Sequence, residues 1–322
     1  MKIRKYTLAL VCVLGLLASC NKKDDSIPTI VERDRTQQQV VDNDSLIGYL
    51  ETHYYNSSVF ETAGDHTISE LVITELPKDE SGNYLALPDP DNNTLLIDAV
   101  GAPLTTTYQE TSYDYYVLKL NEGGGNAPEF TDNIRLNYSG NLQDETVFDS
   151  TVNPADLDLL NLIQGWRLVM PQFKAAESFV ENSDGTVTYS NYGLGVMFLP
   201  SGLAYFATPP YSVPAYSNLI FKFELYQTEV NDHDSDLIPS YLEDLDGDGN
   251  VFNDDTDADN VPNFLDADDD GDGVLTKYED IDGDGDPTND IGANGIPKYL
   301  DPLETASSCI IGSKGTFFEK PL

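Results

Sequence analysis

The spacing of apolar positions changes repeatedly along the chain, and each change predicts a different kind of element. Met1-Lys-Ile-Arg-Lys5 is a basic start followed by an apolar run, Leu8 to Leu17, too short to span a membrane. Residues 20–35 are polar and read as a tether. Between Thr36 and Tyr55 apolar residues (Val40, Val41, Leu46, Ile47, Leu50, Tyr54) recur near helical spacing, which predicts an amphipathic helix packed on a sheet. From Phe60 to Gly101 β-type runs at Glu70–Thr74 and Thr94–Asp98 are split by turn formers such as Pro88-Asp-Pro-Asp-Asn-Asn. This region is either a small extra domain or an elaboration of the following sheet.

Tyr113 to Leu120 then reads as the first strand of a core, with a Gly123-Gly-Gly125 turn and a second strand at Ile134–Tyr138. Glu181-Asn-Ser-Asp-Gly predicts a hairpin with an Asp-Gly turn within Phe179–Gly195. Beyond residue 230 the alternation stops and aspartate recurs at every second position. Leu303 to Leu322 is a compositionally distinct tail.

Charge sharpens the division. The chain of 322 residues carries a formal charge of −39. Between Asn231 and Asp290 there are 22 acidic residues against one basic residue, Lys277. Such a density opposes a compact state unless cations intervene, and it repels nucleic-acid phosphates. The histidines are His53, His66 and His233, so none falls between Tyr138 and Phe221, where an acid–base hydrolase would need one. The cysteines are Cys12, Cys20 and Cys309, which offer no disulfide framework. Leu17-Ala18-Ser19-Cys20 resembles a bacterial lipobox, which implies cleavage before Cys20 and its acylation. The following Lys23-Asp24-Asp25 is similar to a short surface-export signal of some Gram-negative lipoproteins. An outer-membrane lipoprotein facing the periplasm or the cell surface is therefore expected, with the lipid bilayer as one partner.

In order, the core region carries Tyr138-Ser-Gly140, Val147-Phe148-Asp149, Leu162-Ile163-Gln-Gly165-Trp166, Leu203-Ala204-Tyr205, Val213-Pro214 and Asn218–Leu225. This order resembles the FKBP-type peptidyl-prolyl cis-trans isomerases over roughly Tyr113 to Thr228. The resemblance implies an antiparallel sheet around a short helix, with Trp166 as the floor of a proline pocket. It implies walls from Tyr138, Phe148, Leu162, Ile163, Val213 and Phe221, with Asp149 at the rim. The Tyr205 hydroxyl and the Ile163 N–H would bind substrate carbonyls. The chemistry needs no nucleophile, metal or cofactor, and the partners implied are proline-containing polypeptides. The chain departs from the family at Pro154–Leu159, which lacks the usual aromatic wall residue, at Phe206, where glycine is typical, and at the inserted hairpin.

Asp268, Asp270, Asp272, Gly273, Val274 (by its carbonyl) and Glu279 match a calcium loop at every ligand position. Asp232, Asp234, Asp236 and Glu243 repeat it without the glycine, and Asp255, Asp257, Asp259 and Asp266 repeat it with aspartate last. Shorter units supply Asp244, Asp246 and Asp248, and again Asp280, Asp282 and Asp284. The recurring Ile/Val-Pro-x-x-Tyr/Phe-Leu at 238, 261 and 296 marks an internal repeat that resembles bacterial thrombospondin type 3-like repeats. Structural Ca²⁺ that stiffens an acidic arm is the expectation.

The fold class expected is thus α+β. Its parts are a leader at 1–19, the tether, a helix-containing extension at 36–112, the FKBP-like sheet at 113–229, a loop-rich calcium arm at 230–302 and a tail at 303–322. Two functions fit it: a prolyl isomerase for exported proteins, or a non-catalytic peptide-binding lipoprotein for calcium-dependent adhesion or assembly.

Overall fold

The computed structural model describes residues 32–308. The leader, Cys20, most of the tether and residues 309–322 lie outside them. The described residues from Arg35 onward form one compact unit. Among the described residues no helix is long and apolar enough to cross a membrane.

Helix α1 (Arg35–Thr52) buries Gln38, Gln39, Asp42, Leu46, Tyr49 and Leu50, a stripe at three- and four-residue steps. The helix expected to reach Tyr55 stops earlier. The Thr52 hydroxyl donates back to the Gly48 carbonyl (2.6 Å), and β1 (His53–Tyr55) begins at once. After a single helical turn, α2 (Ser57–Phe60), come β2 (Ile73–Glu75) and β3 (Thr94–Leu95), which flank β1 in a small antiparallel sheet. Both expected β-runs are therefore shorter than the sequence pattern indicated. Leu96–Val100 is instead a helix, α3, because Leu96 is fully buried with Ile97, Ala99 and Val100 beside the α1 cluster.

The main sheet comprises β4 (Leu104–Tyr108), β5 (Thr111–Asn121), β6 (Asn133–Asn141), β7 (Val147–Ser150) and β8 (Ala155–Asp158). After α4 (Gln164–Val169) and a separate hairpin of β9 (Ser178–Glu181) and β10 (Val187–Ser190), it is completed by β11 (Gly193–Leu199) and β12 (Leu219–Glu229). The order is β4-β5-β11-β12-β6-β7, with β8 also on β6, and every pairing is antiparallel. The hairpin turns at Gly185, whose φ of 84° suits a residue without a Cβ.

Strand alternation puts two cores on opposite faces of this sheet. Tyr113, Tyr115, Val117, Met197, Leu199, Leu219, Phe221 and Phe223 pack with Trp166, Val169 and Phe173 on the α4 side. Tyr116, Leu118, Val196, Phe198 and Ile220 pack with Leu46, Tyr49 and Leu50 of α1 on the other. Register enforces the split: Met197 pairs with Val117 and Phe221, whereas Phe198 pairs with Tyr116 and Ile220. Strand β11 is consequently buried along its whole length, which explains its unbroken small and apolar sequence.

The acidic arm has no long helix or strand among its residues. Its Pro-led repeats become short 3-10 turns at Ser240–Glu243, Asn263–Leu265 and Lys298–Leu300, with Ile238, Phe264 and Tyr299 buried. The arm packs on the sheet domain. Val251 and Phe264 bury against Leu160 and Phe130, His233 Nε2 lies 3.2 Å from Asp158 Oδ2, and Phe252 faces Arg167 of α4 at 6.0 Å.

Candidate functional site

The nine residues expected around a proline pocket converge from separate elements. Tyr138 lies on β6, Phe148 and Asp149 on β7, Trp166 on α4 and Phe221 on β12; Leu162 and Ile163 precede α4. Tyr205 and Val213 lie on the connection between β11 and β12. Trp166 is only 4% exposed. Its ring contacts Phe221 (centroids 5.1 Å), Phe223 (5.9 Å) and Tyr138 (5.8 Å, edge-on), and Phe148 meets Phe221 edge-on at 5.5 Å. Tyr138, Phe148, Leu162, Ile163 and Tyr205 are half-buried and pack against the buried cluster that contains Trp166.

Two glycines permit this approach. A Cβ on Gly140 would stand 2.7 Å from the Phe148 ring and 2.8 Å from Phe221, and one on Gly165 would collide with Leu199. Asp149 is exposed at the rim and accepts a hydrogen bond from the Tyr138 hydroxyl at 2.6 Å. Burial, and then the Asp149 charge, push the Tyr138 phenol well above its ordinary range, so it remains a neutral donor. Burial raises Tyr205 likewise, with Asp149 again the charge it feels.

The departures have visible physical consequences. Phe206 adopts φ 49°, which costs a non-glycine residue about 1–2 kcal/mol. Its ring is held by Tyr216 at 5.0 Å and by the Arg35 guanidinium at 4.1 Å. At the other departure, Leu157 packs against the α4-side core and Leu159 is fully buried. Sequence reading did not find what holds the Tyr205 connection. Asp42 of α1 accepts from Ser201 N (2.9 Å) and Ser201 Oγ (2.6 Å), and Asn218 donates to the Asp42 carbonyl. A helix pattern marks Asp42 only as a polar residue, and its partner lies on a distant segment.

The acidic arm contains five turns of one geometry. In each, the carboxylate of the first aspartate accepts the N–H five residues on: Leu237 to Asp232, Gly249 to Asp244, Asn260 to Asp255, Gly273 to Asp268 and Gly285 to Asp280. The fourth and sixth residues all have positive φ, including the non-glycines Ser235, Leu237, Ala258 and Asn260. The loops without glycine, and the two shorter units, thus take the same path as the one with the full pattern.

Four loops bring their first, third and fifth aspartates together within 4.8 Å: Asp244, Asp246 and Asp248; Asp255, Asp257 and Asp259; Asp268, Asp270 and Asp272; Asp280, Asp282 and Asp284. The first loop is different, gathering Asp234, Asp236 and Glu243 with Asp269, a residue that the loop pattern does not single out. Asp232 lies outside that group and acts as the turn's acceptor. Asp266 and Glu279 also lie outside the groups, yet their carboxyls are raised by burial and then by the aspartates of their own loops, Glu279 to about 8. Val274 could contribute only its carbonyl; its N–H donates to Asp272. Asp254 and Asp290, at loop position eleven, feel Asp244 and Asp282 first among neighbouring charges and were likewise not singled out.

Buried carboxylate oxygens of Asp234, Asp236, Glu243, Asp268, Asp270, Asp272 and Glu279 have no hydrogen-bond partner. An all-oxygen, multiply anionic donor set with orphaned buried oxygens fits a hard divalent cation.

The comparisons with known proteins each match part of the chain. The FKBP-type 22 kDa peptidyl-prolyl cis-trans isomerase of Escherichia coli is 29% identical over 111 residues, 34% of this chain and 47% of the relative. The FKBP-type peptidyl-prolyl cis-trans isomerase FkpA of Aeromonas hydrophila is 32% identical over 130 residues, 39% of this chain and 42% of the relative. About a third of this chain is similar to FKBP-type isomerases.

The chain spans less than half the length of these two relatives. Among solved structures, a peptidyl-prolyl cis-trans isomerase from Pseudomonas syringae aligns with TM-score 0.30 and 21% identity, over 36% of this chain and 75% of that one. FkpA from Escherichia coli aligns with TM-score 0.31 and 23% identity, over 39% and 51%. The arm is matched separately: the family model described as BamM C-terminal covers residues 233–288.

Proposed function

We propose that this protein is a peptidyl-prolyl cis-trans isomerase for exported polypeptides, tethered to the outer membrane by an acylated Cys20 and stiffened by Ca²⁺ in its acidic arm. One observation carries the catalytic reading. Tyr138, Phe148, Trp166 and Phe221 pack ring to ring, with Trp166 buried, Tyr138 and Phe148 half-buried, and the Asp149 carboxylate at the exposed edge.

Rotation about an X-Pro bond must overcome about 18–20 kcal/mol, because delocalisation across the amide is lost on twisting. The planar amide is the more polar form and water stabilises it. A proline ring laid on Trp166 between Tyr138, Phe148 and Phe221 leaves that water, and the twisted form gains relative to the planar one. Leu162, Ile163 and Val213 would close the sides. The Tyr205 hydroxyl and the Ile163 N–H would hold flanking carbonyls so that only the imide turns. Proton transfer is not required, in keeping with the absence of histidine from the segment.

For the arm, calcium sites of extracellular modules typically have affinities of about 10⁻⁴–10⁻³ M, which suits a protein outside the cytosol. The lipobox-like Leu17-Ala18-Ser19-Cys20 supports an envelope location.

Proline-limited refolding of a model substrate tests the enzyme reading. Wild type should accelerate the slow phase, and Trp166→Ala should lose at least tenfold, about 1.4 kcal/mol of transition-state stabilisation. Equal rates for the two proteins would leave the peptide-binding, adhesion or assembly role instead.

A further inference from the structure

Asp269 occupies the second position of the fourth loop, a place with no role in the loop pattern. It is nevertheless, with Glu279, one of the two most buried carboxylates of that loop. Its side chain is 1% exposed, and neither carboxylate oxygen has a hydrogen-bond partner. The backbone fixes it there, with Asp269 N donating to Thr276 Oγ1 at 3.3 Å.

Around it stand Asp236 and Glu243, each 0% exposed, and half-buried Asp234, all within 4.8 Å. Both Glu243 oxygens and one oxygen each of Asp234 and Asp236 also lack hydrogen-bond partners. Among the described residues no lysine or arginine forms an ion pair with any of the four. Four carboxyls in so small a buried volume need either a cation or protons.

We propose that one hard divalent cation sits among Asp234, Asp236, Glu243 and Asp269, with Asp269 supplied by the fourth loop to complete the first. This rests on the reading that the loops take up calcium, and adds that this ion is a cross-link. It ties residues 232–243 to residues 268–272, whereas the clusters at Asp244–Asp248 and Asp280–Asp284, exposed at their second and third aspartates, each close on a single loop. The first loop is itself held to the sheet domain through His233 and Asp158, so the same ion secures the fold of the arm against that domain. Its deep burial and four carboxylates make it the tightest site.

The test uses the full chain, CaCl₂ as the only added metal, and thermal melts in EDTA and in calcium. Asp269→Asn removes a repelling charge from the metal-free form and a ligand from the loaded form. Its melting temperature should therefore rise in EDTA and fall in calcium relative to wild type. Calorimetric titration should show the tightest class weakened at least tenfold. Glu243→Gln should do the same and guards against a folding defect peculiar to position 269. Asp284→Asn, in an exposed loop, should leave the tightest class in place.

Proton sharing without metal predicts that Asp269→Asn stabilises under both conditions, and that outcome overturns the cross-link. Wild type that binds calcium with an isotherm unchanged by Asp269→Asn also overturns it, while leaving the loop reading intact. Wild type that takes up no calcium removes the loop reading itself.

Discussion

Asp42, in the second turn of α1, reaches Ser201 through two hydrogen bonds of 2.9 and 2.6 Å, although 159 positions separate the two residues. Ser201 opens the connection that carries Tyr205 and Val213, so the N-terminal extension braces the segment that bears these two site residues. Asp42 is 3% exposed and also receives the Gln38 amide at 2.6 Å. Asp42→Ala leaves buried donors without acceptors, a cost of about 1–3 kcal/mol. The expected result is a lower melting temperature together with a several-fold loss of refolding acceleration, measured on the same preparation.

Gly165→Ala weighs two opposing effects. Alanine in a helix interior is favoured over glycine by about 1 kcal/mol. The added methyl, however, overlaps the fully buried Leu199 side chain, and overpacking costs about 1–3 kcal/mol. Net destabilisation should appear in chemical denaturation, with weakened activity because Trp166 sits one residue on. A more stable variant would show that Leu199 can move aside.

Trp166 is the chain's single tryptophan and therefore a reporter of the arm. Its neighbour Arg167 faces Phe252 of the second loop at 6.0 Å. Chelation by EDTA should change the intensity or position of the indole emission and should speed proteolysis between Asn231 and Pro302. Phe252→Ala should abolish the emission change while leaving the protease effect.

Leu237 holds φ 84° at a loop position where three of its counterparts are glycine (Gly249, Gly273 and Gly285). Its side chain is 45% exposed, so little packing is lost on removing it. Leu237→Gly should relieve about 1–2 kcal/mol of left-handed strain, partly offset by the flexibility of glycine in the unfolded chain. The readout is tighter calcium binding or a raised melting temperature in calcium.

His53 stacks on Tyr49 at 3.8 Å, and burial lowers its pKa below the ordinary value. The folded state thus prefers the neutral ring, while the unfolded chain protonates near pH 6.5. Stability from this group is present above that pH and is lost as pH falls below it. The drop in melting temperature between pH 7.5 and 5.5 should be smaller in His53→Gln than in wild type. An equal drop in both would assign the acid sensitivity to other groups.

Tyr138, Phe148, Trp166 and Phe221 were named through the chain's resemblance to FKBP-type isomerases, and the fold brings them into one cluster. Loop registers in the arm were legible because aspartates at every second position with left-handed residues between them leave a fixed spacing. Element boundaries were less legible. Thr94–Asp98 reads as a strand by composition, yet Leu96–Val100 turns helical to fit beside α1.

By itself the sequence determined the alternating core, the positions of the aromatics and the succession of aspartates, because these are patterns of period and composition. Only the tertiary structure decided that α1 braces the Tyr205 connection through Asp42, that the arm lies against α4, and that Asp269 turns toward the first loop. Those pairings join segments far apart in the chain. Their free energy comes from burial and mutual contact, which no local window of residues records.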